Sequence, residues 1–404
     1  MTDLFLYDDA RARTFEPFAL TRPASELRVG AELVRRRWER ALRVTAEGAV
    51  VAPHLEDFSE EGAPGAARAA LPAGAIVANS RFAPSLAPAA ATGTAGAWTN
   101  GGRIAAVRLA KETPLSALAG GETALEALAA RGAPTVEIAG RWIEEVWDLI
   151  TTLLPALRED IDLVGPTLAC LPVEPAHVLG PHGLFVEQGA TIEPMVIFDV
   201  TAGPVLVSAG ATVRAFTRLA GPCFVGAGAQ ILGDRVSGCS IGERSVIRGE
   251  ISESIVIGHA NKGHEGFVGH SVLGRWVNLG AGTITSNLKN TYGTVPLWTP
   301  SGVRDSGVVK LGSFFGDHVK TGIGSRFTTG SVIGAGSNVY GASMPPRYVP
   351  PFSWGEGAAL GEYRLDDFLK IAERAMARRS VPLGESAKRQ LRAAHALARG
   401  KPAR

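Results

Sequence analysis

Cysteine is scarce. Cys170, Cys223 and Cys239 are the only three in 404 residues, with no CxxC and no paired spacing, which excludes a disulfide scaffold and a zinc knuckle. They read as small buried hydrophobes in a reducing compartment. Charge of one sign is missing too: the formal net charge is +2, too balanced to argue for a nucleic-acid partner. No apolar stretch reaches the length of a membrane span, and the N-terminus has no basic region followed by an apolar run, so no membrane insertion is expected and the cytoplasm is the expected location. With 46% apolar and 20% charged residues the chain is not a disordered one. Its length predicts two or three domains.

Glycine is what the chain has in quantity, 49 residues, and it is placed with a period. Phe315, Thr321, Phe327, Ile333 and Val339 fall six apart, each followed by a tail containing Gly, Ala or Ser. Val207, Val213, Leu219, Val225 and Ile231 keep the same beat, as do Phe267, Leu273 and Leu279, and the count begins at Val186, Ile192 and Phe198. A six-residue unit with one bulky inward side chain and one tight corner is a short strand of a β-solenoid, three units closing a triangular coil. A helix is excluded by the spacing and by glycines at nearly every turn. Residues 285–309 interrupt the count with a loop too long for a coil corner, and long loops in compact folds tend to carry function.

Before the solenoid the pattern is α/β. A strand is predicted at 4–7, followed by Asp8-Asp9, an Arg-rich stretch and an amphipathic helix at 31–42. The Ala, Pro and Gly content of 60–102 predicts loops, and helices are predicted at 114–131 and 141–157. A boundary falls near Val164-Gly165-Pro166. After Pro350-Pro351 the pattern turns helical and basic, the expected role of this tail being a solvated cover over the solenoid's open end. The expected domains are 1–165, 166–352 and 353–404.

Hexapeptide solenoids serve acyltransferases, carbonic anhydrases and scaffolds, so the motif must decide. Asn261-Lys262-Gly263-His264-Glu265-Gly266-Phe267-Val268-Gly269, followed by Asn278-Leu279-Gly280-Ala281-Gly282-Thr283-Ile284-Thr285-Ser286-Asn287, closely resembles the acetyltransferase half of the bifunctional enzymes that make UDP-N-acetylglucosamine. The likeness covers about 205–345. It implies a left-handed parallel β-helix, active sites between subunits of a homotrimer, and acetyl-coenzyme A as cosubstrate. It also implies roles: His264 as general base, Glu250 as its orienting carboxylate, Asn278 and Asn287 as sugar-phosphate contacts, and Ala281 as a main-chain contact to the acetyl group or its carrier. An amine attacks a thioester only when unprotonated, so an imidazole nearby is the natural proton acceptor, with a carboxylate fixing its tautomer. Lys310, Lys320 and Arg326 are candidates for the phosphates of coenzyme A. Phe267 stands where that family has Tyr, and Ser252 where it has a sugar-phosphate Lys; Lys262 or the inserted loop is the expected source of the missing charge.

The opening, Arg11-Ala-Arg13 through Thr21-Arg22-Pro23-Ala24 to Glu26-Leu27-Arg28-Val29-Gly30, resembles a degenerate form of the start of sugar-phosphate nucleotidyltransferases. There a Gly-rich turn and a Lys hold the nucleotide triphosphate; here the glycines are missing and Ala24 stands at the Lys position. The resemblance implies an α/β nucleotidyltransferase-like domain with Arg13, Arg22 or Arg28 at the phosphates and Asp8 or Asp9 on magnesium. Two alternatives stay open: a non-catalytic solenoid that binds sugar nucleotides, and a γ-carbonic-anhydrase-like metal enzyme using His259, His264 and His270.

Overall fold

The computed structural model describes residues 3–87, 95–130, 132–173 and 177–400. By internal contacts the chain forms two compact units, one taking everything up to Val146 together with the stretch from Leu383, the other Trp147–Pro382.

The first unit is built on a six-stranded sheet in the order Ala46–Val50, Leu4–Tyr7, Ile76–Asn79, Arg103–Arg108, Ala97–Asn100, Thr135–Glu137. The first three strands are parallel and Arg103–Arg108 is antiparallel to both neighbours. Leu4, Leu6 and Tyr7 are buried on both sides of the predicted first strand, as expected of a strand covered on both faces. The amphipathic helix begins at Val34, three residues later than its pattern suggests. A tight hairpin pairing Arg28–Val29 with Glu32–Leu33, turned at Gly30 with φ +60°, takes up the residues before it.

Three expectations for the residues before the solenoid are corrected. The stretch 60–102 supplies the strands Ile76–Asn79, Phe82–Pro84 and Ala97–Asn100, because Ile76, Val77, Phe82 and Trp98 stand among its alanines and are buried with them; its residues 88–94 lie outside the described ones. The helix expected at 114–131 is two single 3-10 turns, Leu115–Ala117 and Leu125–Ala127. It breaks at Gly121, whose φ of +77° and approach to Arg13, 2.9 Å from where a Cβ would stand, admit no other residue. The helix expected at 141–157 is displaced: Gly140–Trp142 is a strand and the helices are Asp148–Thr151 and Leu153–Val164.

The second unit is a parallel β-solenoid. Its longest face stacks nine strands, from Leu184–Val186 to Tyr348–Val349, with Val186, Val207, Val225 and their successors in register. The predicted six-residue beat is the inward column: Val207, Val213, Leu219, Val225, Ile231, Phe315, Phe327, Ile333 and Val339 are all buried in one continuous core. Burying each such side chain contributes about 1.5–3 kcal/mol. The beat slips more than once: Ile231, Val236, Ile241, Ile247, Ile251 and Val256 are all buried in the same core without keeping six, and it slips again near His264. Val268, not Phe267, points inward, because the coil from Lys262 to Val268 keeps six residues and the next is one shorter, and a one-residue slip flips a side chain to the other face.

Residues 285–309 leave the coil as a β-hairpin of Pro296–Thr299 against Gly302–Asp305. It is pinned by Trp298 stacked on Tyr348, centroids 3.6 Å apart and 10° from parallel. The tail is not one piece. Helix Leu365–Ala377 belongs to the solenoid unit, where Phe368 packs edge-on against Phe352 and His318. Helix Glu385–Gly400 belongs to the first unit, where Arg389 donates to both oxygens of Asp57 at 3.0 Å.

Candidate functional site

His264 stands exposed at a solenoid corner that is held from inside. Lys262 occupies an inward position whose column otherwise carries Ile247 below and Leu279 above, and its relative exposure is 0%. A lysine there must find partners. Its Nζ donates to the carbonyls of Arg248 (3.3 Å), Glu265 (2.8 Å) and His264. The ammonium is thus spent on the main chain of the His264 loop, and burial lowers its pKa to about 8. Gly266 completes the corner at φ +124°; a Cβ there would stand 2.3 Å from the Thr283 carbonyl, so the loop lies flat on the next coil. Gly282 N–H donates to Glu265 at 3.1 Å across the same seam.

Beside the corner, Glu250 pairs in register with Phe267, which the slip has turned outward. His264 and Glu250 are both exposed, and among the described residues no hydrogen bond or ion pair joins them. Asn287 contacts the imidazole of His270, Nδ2 to Nδ1 2.9 Å. Asn278 lies on the adjoining face, its Oδ1 accepting from Asn261 Nδ2 at 2.8 Å, and forms bridges to Asn261 and Lys320. Lys320 is half-buried, its pKa lowered to about 8 by desolvation. Ala281 is half-buried, and its carbonyl accepts from Gly324 N–H at 2.7 Å. Arg326 is exposed and donates to Ala342 O at 2.8 Å, while Lys310 is exposed near Glu253.

The three histidines of the metal alternative occupy different places. His259 packs on Trp276 with centroids 4.4 Å apart, His270 faces Glu253 and Asn287, and His264 is exposed. Among the described residues no group of three or more His, Cys, Asp or Glu is arranged to hold a metal ion.

In the first unit the stretch that resembles a phosphate-binding opening is mostly interior. Arg22 pairs with Glu60 at 3.1 Å and Arg28 donates to Ala31 O at 2.5 Å, both buried. Glu26 pairs with Arg35 from the helix, Nε to Oε1 2.5 Å. Arg13 donates to the carbonyls of Asp8, Ala119 and Val51. Asp9 accepts from Arg81 (2.7 Å), Asn79 (2.9 Å) and Ala12 N–H (2.9 Å). Burial alone would raise its carboxyl, but the Arg81 bonds hold it below its ordinary value. Asp8 is buried, which pushes it up to about 6. In this arrangement Asp9 is engaged by cationic and amide donors, while Asp8 lies buried and accepts from Ala24 N–H at 3.1 Å.

At the C-terminal ends of the parallel strands there is instead a pocket of about 260 Å³ lined by Tyr7, Asp9, Arg11, Asn79, Arg103 and Glu126, among others. Ligands of open α/β sheets bind at this edge. Arg103 lies over the Trp142 ring, 3.5 Å from its centroid, and pairs with Glu144. Sequence reasoning took Arg13, Arg22 and Arg28 from the opening stretch and passed over Arg11, which begins it, and Arg103, which lies in no motif; only the sheet brings these two together.

Comparison with known proteins finds relatives of both parts of the chain. Residues 4–166 match the family model for sugar nucleotidyl transferases. A bifunctional sugar-1-phosphate nucleotidylyltransferase/acetyltransferase from Sulfurisphaera tokodaii is 36% identical over 100 residues, 25% of each chain. Bifunctional protein GlmU from Bartonella quintana is 31% identical over 220 residues, 53% of this chain and 43% of the relative. The chain therefore spans less than half the length of these curated relatives. An N-acyltransferase from Bacillus cereus, solved with a dTDP-linked amino sugar and coenzyme A, aligns over 50% of this chain and 90% of its own at 15% identity with a TM-score of 0.21, too low a score to carry an argument. The chain is similar to the bifunctional transferases over part of its length, with a match to sugar nucleotidyl transferases over residues 4–166 and a parallel β-solenoid after it.

Proposed function

We propose that this protein transfers an acetyl group from acetyl-coenzyme A to the amine of an amino sugar phosphate similar to glucosamine 1-phosphate. The observation that carries the reading is the His264 corner: an exposed imidazole on a loop clamped from inside by a buried lysine, with Glu250, Phe267 and Asn287 on the same stretch of coil. His264 takes the amine proton as nitrogen attacks the thioester carbonyl. The C–N bond forms, the C–S bond breaks, and the thiolate of coenzyme A leaves. Glu250 steadies the imidazolium as the substrate enters, since catalytic hydrogen bonds often tighten only in the complex. Asn278, Asn287 and Ala281 bind acceptor and acetyl group; Lys320, Lys310 and Arg326 meet the carrier's phosphates. The subunits assemble as a cytoplasmic homotrimer.

The head reads as a nucleotidyl transfer domain that joins a nucleotide triphosphate to a sugar 1-phosphate. Its pocket at the strand ends supports this, with Arg11 and Arg103 rather than the interior arginines facing the ligand.

The test is thiol release from acetyl-coenzyme A with a panel of hexosamine phosphates and sugar nucleotides. Release with an amino sugar phosphate is expected, and His264→Ala lowers it by about two to four orders of magnitude with an unchanged melting temperature. Release with no member of the panel, or a fully active His264→Ala, overturns the reading.

A further inference from the structure

We infer that Glu253 and His270 form a relay that fixes which end of the Asn287 amide meets the acyl acceptor, an inference that rests on the transferase reading of this face.

Glu253 and His270 occupy stacked corners of successive coils, at φ +45° and +50°, and His270 N–H donates to the Ser252 carbonyl at 2.9 Å. The imidazole is 6% exposed and both nitrogens are engaged: Nε2 lies 3.4 Å from Glu253 Oε2 and Nδ1 lies 2.9 Å from Asn287 Nδ2. An ionised carboxylate only accepts, so Nε2 carries the proton and Nδ1 of the neutral ring offers a lone pair. The Asn287 NH2 therefore turns toward the ring, and its Oδ1 turns away, with no hydrogen bond among the described residues.

The approach is built for. Gly269 lies beside the amide, and a Cβ there would stand 2.6 Å from Asn287 Nδ2 and 2.6 Å from the Phe267 ring. The same gap thus admits the Asn287 amide and the Phe267 ring, and Phe267 adjoins Glu250. An asparagine that shows the ligand its oxygen recognises a donor. The acceptor group facing it is an amine or hydroxyl, and a phosphate oxygen is refused.

The test uses the full chain and steady-state acetyl transfer. An asparagine places its amide oxygen near the Nδ1 position and tolerates the left-handed corner, so His270→Asn keeps the acceptor KM within about threefold, whereas His270→Leu raises it about tenfold, the value of one hydrogen bond. In both variants kcat, its pH profile and the KM for acetyl-coenzyme A stay unchanged. Gly269→Ala displaces the amide without touching the imidazole, although it also meets the Phe267 ring, and raises the same KM. An unchanged acceptor KM in both His270→Leu and Gly269→Ala, or a rise confined to acetyl-coenzyme A, overturns the relay. A second readout does not depend on turnover: in protein labelled with 15N-histidine, His270 at pH 8 shows an unprotonated Nδ1. A protonated Nδ1 sinks the relay even if acetyl transfer is found. The expected tautomer in a protein without acetyl transfer leaves the relay standing and removes the transferase reading alone.

Discussion

Asp8 is a carboxyl kept from water. Burial raises it from 3.8 to about 6, although Ala24 N–H donates to it at 3.1 Å. Its contribution to stability is complete below the ordinary value and is lost as pH rises through about 6, because the unfolded chain ionises first. Asp8→Asn, neutral at every pH, is therefore expected to melt with the native protein near pH 4 and above it at pH 8. Thermal melts at the two values check this, and equal differences at both would contradict the assignment. Lys262 makes the opposite demand, a cation held inside for the sake of a loop. Lys262→Met suits the aliphatic column, so the coil should fold, but with the His264 carbonyl released acetyl transfer is expected to fall by about two orders of magnitude, the scale of a small misplacement. Activity equal to the native protein's would show that the clamp does not serve the base. At this scale the sequence was half legible. His264 and Asn287 were marked by their motif. The inward turn of Lys262 and the outward turn of Phe267 were not, because both follow from the one-residue slip between Val268 and Leu273, and residue type argued for the reverse.

Among the elements, those with a period were legible. Coils that bury one residue in six announce themselves, and the first strand and the helix Val34–Leu42 followed from alternation and amphipathicity. What escaped was set by tertiary need. Ile76–Asn79 sits at the centre of a sheet but lies in an alanine-rich stretch, and Gly121 breaks a helical pattern so that Arg13 can reach three carbonyls. The head pocket belongs here, since it exists only where strand ends and turns meet. If nucleotide enters it, Arg11→Ala and Arg103→Ala each raise the nucleotide KM in pyrophosphate release by about tenfold, the loss of one charge-assisted contact. Arg22→Lys acts on stability instead, through its buried pair with Glu60. Pyrophosphate release sensitive to Arg22 and indifferent to Arg11 and Arg103 would place the phosphates elsewhere.

For the whole molecule the expected assembly is a homotrimer, since a triangular coil with exposed Phe216 and Ile323 has flat sides to pair and the resemblance implies sites between subunits. Light scattering at micromolar concentration should return three times the 42.2 kDa of the chain; a monomer would remove that part of the reading. The tail helix Glu385–Gly400 has a different bearing. It gives Leu391 and Ala394 to the interior of the first unit after the chain has built the entire solenoid. The first unit is therefore closed by both ends of the chain with 147–382 running unbroken between them, and a fragment ending at 146 leaves behind a piece of its own interior. Trimming the chain from its end therefore opens the first unit before it touches the solenoid.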